Sequence, residues 1–321
     1  MRNFSHPRFS AQSGLTLIEL LIAMTLSTVI TIAGVASLTM ARQGFSSTDA
    51  TSELENNARF ATSVIQKIVI QAGYLEEKYA MDFGSEFLQR DPSDIEPNVK
   101  GFNKSSYKET LVVGTNTTPQ TGAINNSDML IIRYQAGESI IGSRELDDAM
   151  INCNGGTAKA MVTKSIDRMV NVFHIANSSG EPSLMCTWLN DSKGTYETEP
   201  LIQGVETMQI LYGIADITNA AAPNNNAPET YLRADELTVS DNSQTLLNWR
   251  RVQSIRIGLI LRGPVGSAPD RTEAKKYYPL GAEGIMDSTA DVGSVFIAPK
   301  DGRLRQKVTF TINLRNPQNS L

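Results

Sequence analysis

The 321-residue sequence predicts an α+β chain, with one long N-terminal helix whose second half packs on an antiparallel β-sheet. Three observations carry this. From Leu20 to Ala41 no residue bears a formal charge. At ~1.5 Å per residue that run reaches roughly 33 Å, enough to cross a bilayer core as a helix. Apolar residues then recur at helical spacing as far as Ala72, and two late segments alternate apolar with polar residues as half-buried strands do.

The first fourteen residues are polar, with Arg2 and Arg8 and no acid, and the next charge after the apolar run is Arg42. Basic residues ahead of the run predict a cytoplasmic N-terminus and an exported C-terminal bulk, with one crossing. Three readings compete for the run: a buried core helix, a cleaved secretory signal using small residues such as Ala33, Gly34, Ala36 and Ser37, and a retained membrane helix. Length and the basic leader oppose the first. Glu19 opposes the second, because a carboxylate at the head of an apolar run is costly and marks a function that a signal peptide lacks.

After a polar break at Gln43-Gly44 and Ser46-Ser47, apolar residues fall at Leu54, Ala58, Ala61, Ile65, Ile68 and Ala72. That is the stripe of an amphipathic helix, with Glu53, Glu55, Arg59 and Lys67 off it. Gly73 is a stop signal. One helix from about Leu15 to Ala72 would be about 85 Å long. Gly34 either softens it or is a small packing residue.

Residues 81–128 contain Pro92, Pro97 and Pro119 and read as irregular. Strands are expected at 128–135, 167–176, 183–189 and 201–214. The clearest come late: Ile255, Ile257, Leu259 and Leu261 alternate with Arg256, Gly258, Ile260 and Arg262, and Val308, Phe310, Ile312 and Leu314 alternate with Thr309, Thr311, Asn313 and Arg315. Loops at 219–228 and 263–270 are turn-rich and expected to be exposed.

A net charge of −5, from 29 Lys+Arg against 34 Asp+Glu, argues against nucleic-acid binding. Two Cys and two His leave little for a metal centre, and no nucleophile elbow, zinc-protease, P-loop, dinucleotide or EF-hand spacing occurs. No catalytic residue, metal or cofactor is therefore expected. His174, Trp188 and Trp249 read as packing residues, and the pairs Asp147-Asp148 and Glu76-Glu77 as solvated surface. Asp191-Ser192-Lys193-Gly194 and Asn224–Asn226 have oxygen ligands for a cation but read as ordinary turns.

The segment Gly14-Leu15-Thr16-Leu17-Ile18-Glu19-Leu20 resembles the type IV prepilin junction, usually Gly, Phe, Thr/Ser, Leu, Ile/Val, Glu. Leu15 in place of Phe is the departure. The resemblance implies that a prepilin peptidase cuts between Gly14 and Leu15 on the cytoplasmic side and methylates the amine of Leu15. Glu19 becomes the fifth mature residue and meets the methylated amine of a neighbouring subunit, setting its register. The alternative is an interfacial Glu solvated by headgroups. Family members often have Pro where this chain has Ala36, so helix melting in a fibre is not implied here.

Further segments resemble PilW-type minor pilins: Asn57-Ala58-Arg59-Phe60 with Gln71-Ala72-Gly73-Tyr74, Leu201-Ile202-Gln203-Gly204-Val205-Glu206, Ile210-Leu211-Tyr212-Gly213, and Asp301-Gly302-Arg303-Leu304-Arg305 with Thr311-Ile312-Asn313-Leu314-Arg315-Asn316. The resemblance implies a subunit that helps initiate type IV pilus assembly at or near the tip. Its partners would be other minor pilins, the major pilin, the prepilin peptidase and the inner-membrane assembly platform. It also implies an order of leader 1–14, assembly half of the helix 15–42, amphipathic half 43–80 and periplasmic α+β domain 81–321. The chain would sit in the inner membrane and then in the surface pilus. A minor pseudopilin of type II secretion is the near alternative. An exported enzyme or sensor on one anchor is the distant one.

Cys153 and Cys186 lie in the exported part, where the compartment favours a disulfide over two free buried thiols. Closing a loop of about 30 residues is worth roughly 3–4 kcal/mol in the chain-entropy model.

Overall fold

A computed structural model describes residues 14–76, 96–113, 118–140, 142–143, 145–159, 161–163, 167–190, 192–214, 228–268, 274–281 and 295–316. The chain divides into two compact units, Met1–Asp49 and Ala50–Leu321. Helix α1, Leu17–Val69, contributes to both.

In the first unit every described residue from Gly14 to Ser46 is exposed, including all the large apolar ones. Five hydroxyls in this stretch turn back onto the helix backbone. Thr25 donates to Ile22 O at 2.8 Å, Ser27 and Thr28 to Met24 O at 2.9 and 2.6 Å, Thr31 to Ser27 O at 2.7 Å and Thr39 to Ala36 O at 2.8 Å. Folding these five hydroxyls back onto the helix satisfies their donors without water. Among the described residues, α1 is the one helix long and apolar enough to cross a membrane.

In the second unit α1 buries Ala50, Leu54, Ala58, Ala61, Ile65, Ile68 and Val69, and Ala72 beyond it is buried too. The expected stripe is thus the observed one. The helix stops three residues sooner than expected. Gln71 N bonds Ile68 O and Ala72 N bonds Val69 O, tightening the last turn to i→i+3 spacing. Gly73 then takes φ +72° and donates to Arg133 O at 3.0 Å. Without a Cβ, glycine adopts that left-handed conformation at no steric cost.

Eleven strands follow among the described residues. β1 (Val99–Phe102), β2 (Met129–Tyr134), β3 (Met169–Ser178), β4 (Glu181–Asn190) and β5 (Thr195–Gln203) form one antiparallel sheet in that order. β6 (Val205–Ile214), β7 (Thr230–Leu232), β8 (Val252–Arg262) and β11 (Arg305–Asn313) form a second, in the order β11-β8-β6-β7. Helix α2, Asn242–Arg250, links β7 to β8, and β9 (Lys276–Tyr277) pairs with β10 (Phe296–Ile297). The α1 stripe shares one hydrophobic core with Leu130, Ile132, Phe173 and Leu184 of the first sheet and Ile210, Ile255, Ile257 and Leu259 of the second. The fold is α+β, as the periodicities required.

Further expectations change. The apolar stretch 201–214 is two strands, not one, because Gly204 at φ +82° turns the chain between β5 and β6. A Cβ there would lie 2.7 Å from Arg262 O. The stretch 81–128 holds strand β1 and a short helical turn, Glu109–Val112, while 77–95 and 114–117 lie outside the described residues. Their Leu111 and Val112 join Phe102, Met129, Ile131, Val170 and Val172 to cover the outer face of the first sheet. β8 is buried on both faces near its end, since Ile260 packs with Tyr277, Phe296 and Ala298. Glu76 is not solvated surface: it is buried, with its N–H donating to Gln135 Oε1 at 2.8 Å.

Of the remaining expectations, His174, Trp188 and Trp249 are buried and Asp147 and Asp148 exposed. In the 263–270 loop, 264–266 are exposed, whereas Gly263, Ser267 and Ala268 are buried. Glu77, Asp191, Asn224–Asn226, 219–227, 269–270 and the leader up to 13 lie outside the described residues.

Candidate functional site

The sequence points to the head of α1. Thr16 is the residue just before the helix and Glu19 is its third residue, the spacing of a capping box. The Thr16 N–H donates to Glu19 Oε2 at 2.9 Å, and the Thr16 hydroxyl donates to the same oxygen at 2.9 Å. The Glu19 N–H points back to Thr16 Oγ1 at 3.4 Å. A carboxylate here also faces the positive end of the helix dipole. Sequence reasoning missed Thr16, although a Thr three residues before a Glu, ahead of an apolar run, was the signal.

Gly14 and Leu15 stand exposed beside this cap, Leu15 at 77%. A Cβ on Gly14 would meet nothing within 4 Å among the described residues. Packing among the described residues does not demand glycine there. Behind the cap, Leu17, Ile18, Leu20, Leu21, Ile22, Met24, Leu26 and Val29 are all exposed, an apolar surface on every side of the helix. Such a surface belongs in lipid or against like helices.

The segments singled out in the second half of the chain come together around ion pairs. Arg305 binds Glu206 with both arms of its fork, Nε to Oε2 at 2.6 Å and Nη2 to Oε1 at 3.0 Å, and binds Asp301 Oδ2 at 2.6 Å. Arg262 reaches Glu206 at 3.3 Å and Glu181 at 2.6 Å, and Arg303 reaches Glu181 at 2.9 Å. These bonds tie β4, β6, β8 and β11 at one end of the second sheet. The Arg303 hydrogen bond holds the Glu181 carboxyl below its ordinary pKa, and that of Arg305 does the same for Asp301. The network was not foreseen from the sequence, because its members are distant in the chain.

Cys153 is joined to Cys186 of β4, with Cα atoms 5.9 Å apart. The bridged segment also docks on the end of α1. Gln71 Nε2 donates to Ile151 O at 3.1 Å, and Gln71 Oε1 accepts from Ile151 N–H at 2.9 Å. The Cys153 N–H donates to Asn171 Oδ1 at 2.7 Å, while Asn171 Nδ2 donates to Tyr134 Oη at 2.7 Å. Among the described residues no three His, Cys, Asp or Glu side chains are grouped to hold a metal.

Two family models match. The prokaryotic N-terminal methylation motif matches residues 9–35, and the type IV pilus-assembly protein W (PilW) model matches residues 172–316. The first contains Gly14, Leu15 and Glu19. The second contains Glu181, Glu206, Arg262, Asp301, Arg303 and Arg305. No curated protein matches the chain. Among solved structures, a type IV-like pilin from Thermus thermophilus is similar at 12% identity and a TM-score of 0.38, over 83% of this chain and 98% of that one. With the methylation motif at its head and the PilW match over its C-terminal half, the chain carries the sequence signature of a type IV prepilin of the PilW type.

Proposed function

We propose that the chain is a minor pilin that helps initiate type IV pilus assembly and is incorporated at or near the tip. The observation that carries this reading is an exposed glycine with no packing neighbour at its Cβ position, set five residues before a capped carboxylate at the head of an exposed apolar helix. In this reading prepilin peptidase cuts between Gly14 and Leu15 and methylates Leu15. The chain is held in the inner membrane by one crossing, with 81–321 in the periplasm. It then leaves the bilayer to pack among other minor pilins and the major pilin on the assembly platform. Removing so apolar a helix from lipid demands like surfaces to receive it. Glu19 must also be neutralised on entering the helix bundle, which a neighbour's N-terminal amine accomplishes. Both Thr16 bonds land on Oε2, leaving Oε1 for that cation. The protein contributes packing and charge pairing rather than catalysis.

Gly14→Arg is expected to block processing, read as an N-terminus that stays at Met1 by mass spectrometry. Normal processing with normal pili would refute the reading. Glu19→Val is expected to insert normally yet lose piliation, and wild-type piliation would remove the register role while leaving cleavage intact. A tip position predicts that antibody to the 81–321 domain labels pilus ends rather than shafts. A minor pseudopilin of type II secretion would use the same N-terminus. Deletion separates the two, since loss of pili and twitching supports the pilus and loss of enzyme secretion supports the alternative. The PilW match favours the pilus.

A further inference from the structure

The two larger sheets have four edges, and three are blunted. β1 has 4 residues and β7 has 3. β5 is longer but carries Pro200, Glu197 and Glu199, and its register with β4 shifts between Leu184 and Met185. Short strands, proline, charge and irregularity are the usual guards against a strand being added. β11 is neither short, irregular nor interrupted by proline, and Lys307 is the one charged residue among its outward-facing 307, 309, 311 and 313. It runs for 9 residues without proline and pairs with β8 in unbroken register. Among the described residues no strand pairs with its other side.

The hydrogen-bond parity shows which groups that edge offers. Gly263 N–H donates to Leu304 O, and Leu314 N–H donates to Gln253 O, both at 2.8 Å. In an antiparallel ladder these bonds assign the even-numbered residues of β11 to β8. The backbone N–H and C=O of Lys307, Thr309, Thr311 and Asn313 therefore face outward. Their side chains are exposed, while Val308 and Phe310, on the core side, are only half-buried. A further strand would finish covering them. The outer face is already taken, since Thr309 Oγ1 donates to Pro279 O and Arg256 Nε donates to Thr311 Oγ1. Among the described residues no strand occupies the edge itself.

Charge and position specify the occupant. Lys307 and Arg315 are exposed on or beside β11, which carries no acid. Asn316 Nδ2 donates to Ala72 O at 3.0 Å, which brings the end of β11 to the end of α1's buried half. A subunit lying against that end of α1 would reach the end of the open edge. We propose that the open edge of β11 is the docking site for one extended segment of another fibre subunit, added as a strand with an apolar residue beside Phe310 and an acid beside Lys307. The identity of the occupant rests on the minor-pilin reading above, whereas the edge does not.

The test uses the full-length chain in pilus-producing cells, with the photo-crosslinking residue benzoylphenylalanine replacing Asn313. The expected product is an adduct with another prepilin-type subunit, mapped by mass spectrometry to an extended, acid-containing segment. Thr311→Pro removes an outward N–H that the chain's own sheet does not use, so the fold tolerates it, and the adduct falls about tenfold. Thr311→Val keeps the N–H and keeps the adduct. The Thr311→Pro chain in detergent should melt within about 3 °C of the parent. If it does not, Lys307→Glu replaces it, and the adduct is again expected to fall. No adduct, an adduct confined to the same chain, an adduct with a protein outside the prepilin class, or an adduct undiminished by Thr311→Pro or Lys307→Glu overturns the proposal. Cleavage after Gly14 and normal piliation alongside any of those results would leave the minor-pilin reading standing.

Discussion

Glu206→Ala tests the ion-pair network most directly. In the Glu206–Arg305 pair the two side chains are 2% and 3% exposed, so water cannot replace a lost partner. Removing the carboxylate deprives Arg305 of both bonds to its fork and Arg262 of its 3.3 Å contact. Arg305 retains Asp301, and Arg262 retains Glu181. Removing one partner of a buried pair costs about 3–5 kcal/mol, and the retained bonds place this variant toward the lower figure. At roughly 2–4 °C per kcal/mol for a domain of a couple of hundred residues, the midpoint should fall by about 6–12 °C. The assay is thermal and urea unfolding of the full chain in detergent, followed by circular dichroism. The double variant Glu206→Leu with Arg305→Met removes both charges and should recover at least half of the loss, because an apolar pair of similar volume carries no unpaired charge. A loss below about 1 kcal/mol for Glu206→Ala, the range of an exposed pair, would refute the reasoning. So would a double variant worse than the sum of its parts.

Two further outcomes are expected. Alkylation of the native protein without reductant should label neither Cys153 nor Cys186, and Cys153→Ser with Cys186→Ser should lower stability by roughly 3–4 kcal/mol. His174 sits buried with its Nε2 3.0 Å from Thr187 Oγ1 and its ring stacked on Tyr107, and burial pushes its pKa from 6.5 down to about 4. Between those values the unfolded chain binds the proton and the folded one does not. Stability should therefore fall by up to about 3 kcal/mol from pH 6.5 to pH 4, and His174→Gln should flatten that slope in unfolding measured across the range.

Legibility followed locality. The α1 stripe and the alternation in β8 and β11 were readable because period and burial coincide within a few residues. The segment from Gly14 to Leu20 stood out because its motif is contiguous, and the N-terminal methylation match spans it. The β5–β6 turn was not, because Gly204 interrupts an otherwise apolar stretch and its positive φ has no signature beyond the glycine itself. Nor was the second buried face of β8, since Phe296 and Ala298, which cover Ile260, arrive from more than thirty positions away. The PilW-like segments were recognised as words without a reason for them. The reason is that Glu206 belongs to one and Asp301, Arg303 and Arg305 to another, and the fold makes them partners.

On the minor-pilin reading proposed above, the cap at the head of α1 bears on how a carboxylate can be stable in the precursor and still available in assembly. An uncompensated Glu19 at the edge of an apolar run would be costly before any partner arrived. Thr16 lowers that cost within the chain, by two hydrogen bonds to one oxygen. Cleavage after Gly14 would not disturb them, since both Thr16 donors lie beyond the cut. It would add a cationic amine on Leu15, at the end of the helix where the dipole disfavours positive charge. That amine gains most from a carboxylate. Its own chain's Glu19 is already engaged through Oε2, which makes the Oε1 of an adjacent subunit a competitive acceptor. On this argument Thr16→Val would leave Glu19 without two of its bonds while preserving the charge. If Glu19 has the proposed register role, assembly should then be impaired less than by Glu19→Val, because the carboxylate is kept and only the precursor is less well prepared.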